Sequence, residues 1–91
     1  MLNVIFLEKA LDDLSAIKNF ISLDSFEQWN IVKNHIENTA EMLWSFPEMW
    51  REISSWIRVL IDSKYKFRIF YKIFNKNILI ISISKSRKDF I

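Results

Sequence analysis

The hydrophobic pattern changes period once, near the middle of the chain, and that change governs what the chain can fold into. Between residues 8 and 45, apolar side chains recur every three or four positions, the spacing of a helix face; from residue 56 to 83 they alternate every second position, the spacing of a strand. Helices therefore come first and strands follow. Segregated in this way, they form an α+β domain with helices packed on one side of a sheet. A chain of 91 residues supports one such domain over residues 1–91 and leaves no material for a second core.

Residues 2–6 are a short apolar run with β-branched content, read as a first strand. In residues 8–22, Ala10, Leu11, Leu14, Ile17 and Ile21 share one helical face, with Asp12, Asp13, Lys18 and Asn19 on the other. After the polar break Leu23-Asp24-Ser25, Ser25 and Gln28 have the spacing of a capping box, which satisfies amides at a helix start. The second helix buries Trp29, Val32, Ile36, Ala40 and Leu43, and Phe46-Pro47 stops it because a residue before proline avoids the helical region. So short a link makes the two helices an antiparallel hairpin. Beyond an irregular stretch at 48–55, residues 56–61, 65–74 and 78–83 read as three more strands. The turns are Asp62-Ser63-Lys64 and Asn75-Lys76-Asn77, the second using asparagine's tolerance of the left-handed conformation. The last strand is almost wholly aliphatic, as an interior strand is. The expected architecture is β-α-α-β-β-β, an N-terminal helical hairpin packed on a mostly antiparallel four-stranded sheet.

Composition removes several function classes. With no cysteine, the chain has no disulfide framework, no Cys-based zinc site and no thiolate nucleophile. With no glycine, it has no phosphate-binding P-loop, no dinucleotide fingerprint and no nucleophile elbow, so no cofactor is expected. The apolar start lacks the basic residues, long apolar core and cleavage site of a signal peptide, and Glu8 interrupts it. No apolar run approaches the roughly 20 residues that cross a bilayer. A cytoplasmic protein with no membrane partner is expected. Eight Phe and four Trp in so small a body exceed what its interior hides, which calls for a partner to cover the remainder.

Net charge is only +2, yet the halves differ: residues 1–55 carry four basic against nine acidic groups, a net of −5, and residues 56–91 carry nine against two, a net of +7. Clustered cations focus positive potential on a surface built by the second half, although the same groups would also serve as ordinary solvated charge. In the third strand, Tyr65, Phe67, Ile69, Tyr71 and Ile73 alternate with Lys66, Arg68, Phe70, Lys72 and Phe74. The second set interleaves cations with rings, which suits phosphate contact and base stacking, the latter worth about 1–3 kcal/mol per base. Arg58 shares a side with Trp56 and Leu60 and is expected beside Arg68 or Lys66 across the hairpin. Lys85, Arg87 and Lys88 extend the basic character into the tail. The candidate target- or nucleic-acid-binding set is thus Arg58, Lys66, Arg68, Phe70, Lys72, Lys85, Arg87 and Lys88.

Conventional catalytic sets are missing. His35 is the single histidine and falls opposite the apolar stripe of its helix, where solvent is expected. Asp12, Asp13, Glu37 and Glu41 read as solvated helix faces, and no metal-ligand spacing appears. Any catalysis would fall to Arg68, Lys66, Arg58, Lys85 and Arg87, stabilising charge in the transition state of RNA cleavage.

The order of elements, the motif Ala10-Leu11-Asp12-Asp13-Leu14 followed by Ile17, Phe20 and Ile21, and the Leu43 to Phe46-Pro47 helix end resemble the RelE/ParE toxins. So do Arg58-Val59-Leu60, the Arg68-Ile69-Phe70-Tyr71 core of a longer strand, and Ile80-Ile81-Ser82-Ile83 before a basic tail. The resemblance implies the toxin of a bacterial type II toxin–antitoxin pair, held inactive in a hetero-oligomer with a cognate antitoxin protein. ParE-like members inhibit DNA gyrase, whereas RelE-like members enter the ribosome and cut mRNA. Arg68 matches the strand arginine of RelE-type cleavage, and Lys85 or Arg87 its tail cation. The second-strand lysine pair of RelE is replaced by Trp56 and Arg58 and no tyrosine follows the tail, which departs from RelE-type cleavage. The long helical hairpin with the Ala-Leu-Asp-Asp-Leu motif looks more like ParE, so that branch is slightly preferred. The alternatives are a ribosome-dependent mRNA endonuclease and a non-toxic or decayed basic nucleic-acid-binding module.

Overall fold

The computed structural model describes residues 3–22, 26–46, 50–54 and 56–85. In chain order the elements are β1 (Asn3–Phe6), α1 (Glu8–Ser22), α2 (Phe26–Ser45), β2 (Glu52–Ser54), β3 (Ile57–Ile61), β4 (Phe67–Phe74) and β5 (Asn77–Lys85). They form one sheet of order β1-β5-β4-β3-β2, in which β1 runs parallel to β5 and every other pair is antiparallel. The α+β class and the mostly antiparallel sheet agree with the sequence pattern.

Two helices cover one face of this sheet. Ala10 and Ile17 of α1 are buried with Leu14 and Ile21 packed beside them, while Trp29, Val32, Ile36, Ala40 and Leu43 of α2 are all buried. The α2 stripe matches its spacing residue for residue. Leu11 departs from its expected place and is exposed, because Ala10, Leu14, Ile17 and Ile21 already supply the 3.6-residue stripe of α1. From the sheet come Leu60, Phe67, Ile69, Tyr71, Ile78, Ile80 and Ile83. Burying each large aliphatic side chain contributes about 1.5–3 kcal/mol before entropy is charged against it. The Ser25 cap and Pro47 stop lie outside the described residues.

The sheet has five strands rather than four. The additional strand, β2, falls in the stretch read as irregular, since its three residues are all exposed and leave no alternation to read. Two strand boundaries also shorten. Trp56 sits in the β2–β3 turn with φ of 70°, and Lys66 ends the β3–β4 loop with φ of 64°, so neither belongs to a strand. In the β4–β5 hairpin, Asn75 and Lys76 both take positive φ, the requirement of a two-residue type I′ turn. Lacking glycine, the chain places a lysine where glycine is usual.

Strand β5 contains one more residue than β4 between the Phe70–Ser82 and Tyr71–Ile80 pairs, a β-bulge at Ile81. The bulge lets Ile78, Ile80 and Ile83 all point into the core, although they do not keep a strict two-residue spacing.

Candidate target-binding face

Residues paired across strands share a face, so the register assigns every strand residue to the helix-covered side or the open one. Tyr71 pairs with Ile80 on one side and Arg58 on the other, and Tyr71 and Ile80 are fully buried. The open face accordingly carries the intervening rows: Ile61–Arg68–Ser84, Val59–Phe70–Ser82, Lys72–Leu79–Ile5 and Phe74–Asn77–Asn3. Arg68 and Phe74 are exposed, Phe70 and Lys72 half-buried, and the Lys72 ammonium lies 5.8 Å from the centroid of the Phe74 ring. Ile5 and Ile61 are exposed beside them. The result is an apolar surface bearing two cations and, within these rows, no acidic group.

The alternation expected in β4 therefore holds for Arg68, Phe70, Lys72 and Phe74. Other members of the candidate set are placed differently. Arg58 lies on the helix-covered side, cross-strand from Tyr71 rather than from Arg68 or Lys66. Its Nη1 donates to the Trp50 carbonyl at 2.6 Å, and it lines an open pocket with Glu52, Trp56 and Ile73. Burial pushes the Tyr71 phenol up, against the charge of Arg58 and a hydrogen bond with the Trp50 backbone, which both work to lower it. Arg58 is thus tied into the fold, because residue parity on β3 puts it on the same side as Leu60. Lys66 is exposed in the β3–β4 loop, immediately before β4, and so falls outside the strand alternation. Lys85 closes β5 opposite Phe67, but its side chain lies outside the described residues, as do Arg87 and Lys88.

His35 is not in open solvent. Its Nε2 lies 2.7 Å from Asp62 Oδ1, its side chain is only 25% exposed, and Asp62 is 8% exposed. Asp62 Oδ2 also accepts the Tyr65 amide at 2.8 Å. Burial works to raise the Asp62 carboxyl, yet the His35 hydrogen bond, the Tyr65 amide, the nearby imidazole and the Lys64 amide prevail and hold it below the usual carboxylate range. Because the carboxylate is ionised, the imidazole N–H is the donor. The Tyr65 ring stands edge-on to His35 at 4.9 Å. The only sequence signal for this pair was an aspartate opening a turn and a histidine beside the buried Ile36.

Asp13 is likewise not a purely solvated acid. Its Oδ2 accepts the Ile83 amide at 2.9 Å, and its Oδ1 pairs with Lys9. Among the described residues no three His, Asp or Glu side chains converge as a metal-ligand set, and no helix is long and apolar enough to cross a membrane.

A helical hairpin thus covers one face of a mixed five-stranded sheet and leaves an opposite face that is cationic and apolar. Two solved structures share that fold: the chromosomal ParDE system of P. aeruginosa, at 21% identity and a TM-score of 0.79 over 93% of this chain and 96% of that one, and the intact E. coli RelBE toxin–antitoxin complex, at 15% identity and 0.68 over 96% and 99%. None of the curated proteins matches the sequence. The family model for the ParE toxin of the type II toxin–antitoxin system parDE matches residues 4–90. The chain belongs to that family and is the toxin component of a type II toxin–antitoxin system.

Proposed function

We propose that this toxin arrests growth in the cytoplasm by binding DNA gyrase through the open face of its sheet, without catalysis, and that a cognate antitoxin suppresses it by forming a hetero-oligomer. The observation that carries this reading is the company Arg68 keeps. Its cross-strand neighbours are Ile61 and Ser84, and the chain's one histidine is bound to Asp62, the first residue of the β3–β4 loop. RNA cleavage needs a positioned proton-transfer group at the scissile phosphate, whereas binding needs only apolar area and complementary charge. Arg68, Phe70 and Lys72 supply both, and Lys66 precedes them in the loop that enters β4. Lys85, Arg87 and Lys88 extend the same basic region along the sequence.

Induction of the chain without its neighbouring gene tests this. Growth arrest with relaxed plasmid DNA and intact mRNA is the expected result. Codon-phased mRNA cuts with normal plasmid topology would replace this reading with the ribosome-dependent nuclease. Unimpeded growth would leave a non-toxic nucleic-acid-binding domain.

A further inference from the structure

We propose that His35 is a positioning residue for the toxin's basic loop: acting through Asp62, it fixes the segment from Asp62 to Lys66 and so sets where Lys64 and Lys66 stand in the loop that leads into Arg68 of the open face. The proposal rests on that face being the target-binding surface.

The loop is demanding to hold. Lys66 takes a φ of 64°, a conformation that costs a residue with a Cβ about 1–2 kcal/mol, yet its side chain is exposed and gains nothing from burial to offset it. Three positive charges also fall within the five residues from Lys64 to Arg68. Both costs are carried by Asp62, whose own amide donates to the Phe67 carbonyl at 2.8 Å while its carboxylate receives Tyr65. These contacts close the loop at both ends.

An aspartate that is 8% exposed does not keep its charge without partners, and beside the loop amides its side-chain partner is His35, reaching from α2 across 27 positions of sequence. The His35 ring further limits where Tyr65 can go, and the Lys64 ammonium lies 5.3 Å from the centroid of the Tyr65 ring. Helix α2 thus transmits its position to the basic loop through one imidazole. Thr39 Oγ1 donates back to the His35 carbonyl at 2.8 Å, on the same stretch of α2.

His35→Ala and His35→Gln in the full chain separate positioning from a general contribution to stability, since glutamine's amide can donate to Asp62 as the imidazole does. Amide hydrogen exchange by NMR reads the loop, and growth arrest on induction reads the function. In His35→Ala, exchange at Tyr65 should speed by about tenfold, the loss of one charge-assisted hydrogen bond, while Ile69, Tyr71 and Ile80 in the core keep their wild-type protection; growth arrest should weaken. His35→Gln should restore both. Unchanged loop exchange in His35→Ala overturns the proposal, as does an equal loss of protection in loop and core, or a failure of glutamine to rescue. If the wild-type chain arrests no growth, the reading of the face fails, and the exchange comparison still decides whether His35 positions the loop.

Discussion

Asp13 on the first helix accepts the backbone amide of Ile83, 70 residues further on, at 2.9 Å. Ile83 follows the β5 bulge and lies beyond the end of β1, whose last pair is Phe6 with Ile80. Its amide would otherwise point past the edge of the shorter strand. The second aspartate of the Ala-Leu-Asp-Asp-Leu motif thus acts as a missing strand partner and joins helix to sheet.

Replacing Asp13 should therefore destabilise more than a surface charge would. Asp13→Ala removes a charge-assisted acceptor from a half-buried amide and is expected to cost about 1.5–3 kcal/mol. Asp12→Ala, at an exposed neighbour, should stay within about 0.5 kcal/mol. Urea unfolding of the two variants compares them directly, and equal costs would remove the helix-to-sheet role.

The Asp62 carboxyl titrates below its unfolded value. The folded chain binds that proton less readily than the unfolded chain, so the stability it contributes is full above the ordinary aspartate range and is lost as pH falls through the folded value. Unfolding free energy should fall below about pH 4, and part of that slope should vanish in Asp62→Asn. The same acid dependence in both proteins would show that other carboxylates account for it.

Tyr71 predicts the opposite limb. Its phenol is held above the ordinary value, so the folded state favours the protonated form. The associated stability is present below the unfolded value and lost as pH rises through the folded one. Tyr71→Phe should flatten the alkaline loss of stability above about pH 10, read by denaturant unfolding across that range.

Arg58 and Arg68 should separate by function. Arg58→Ala breaks a hydrogen bond to the Trp50 carbonyl and should cost about 1.5–3 kcal/mol of stability. Arg68→Ala, on the open face, should leave stability within about 0.5 kcal/mol and abolish growth arrest. The reverse assignment in paired unfolding and induction assays would place the target-binding face elsewhere.

Much of the fold was legible because its signals are periodic. The α2 stripe from Trp29 to Leu43 and the alternation from Phe67 to Phe74 each repeat often enough to define an element and its buried side. What escaped had too few repeats or depended on distant partners. Glu52–Ser54 is three exposed residues and gains its identity only by pairing with β3. The pattern of β3 carries no information on its register against β4, and the observed register sets Ile61 opposite Arg68 and Arg58 on the other face, opposite Tyr71. His35 and Asp62 meet across 27 positions, and Asp13 and Ile83 across 70; no local pattern encodes either pair. The alternation within β4 is local, so Arg68, Phe70, Lys72 and Phe74 share a face as their spacing requires, whereas the residues beside them depend on the register of neighbouring strands.

The central claim, a toxin that acts by binding gyrase, is tested most directly by a supercoiling assay with purified gyrase, relaxed plasmid and the purified chain beside its Arg68→Ala variant. Dose-dependent loss of supercoiling with the wild-type chain, and little or none with Arg68→Ala at equal folded concentration, is the predicted result. Full supercoiling in the presence of excess wild-type chain would contradict it.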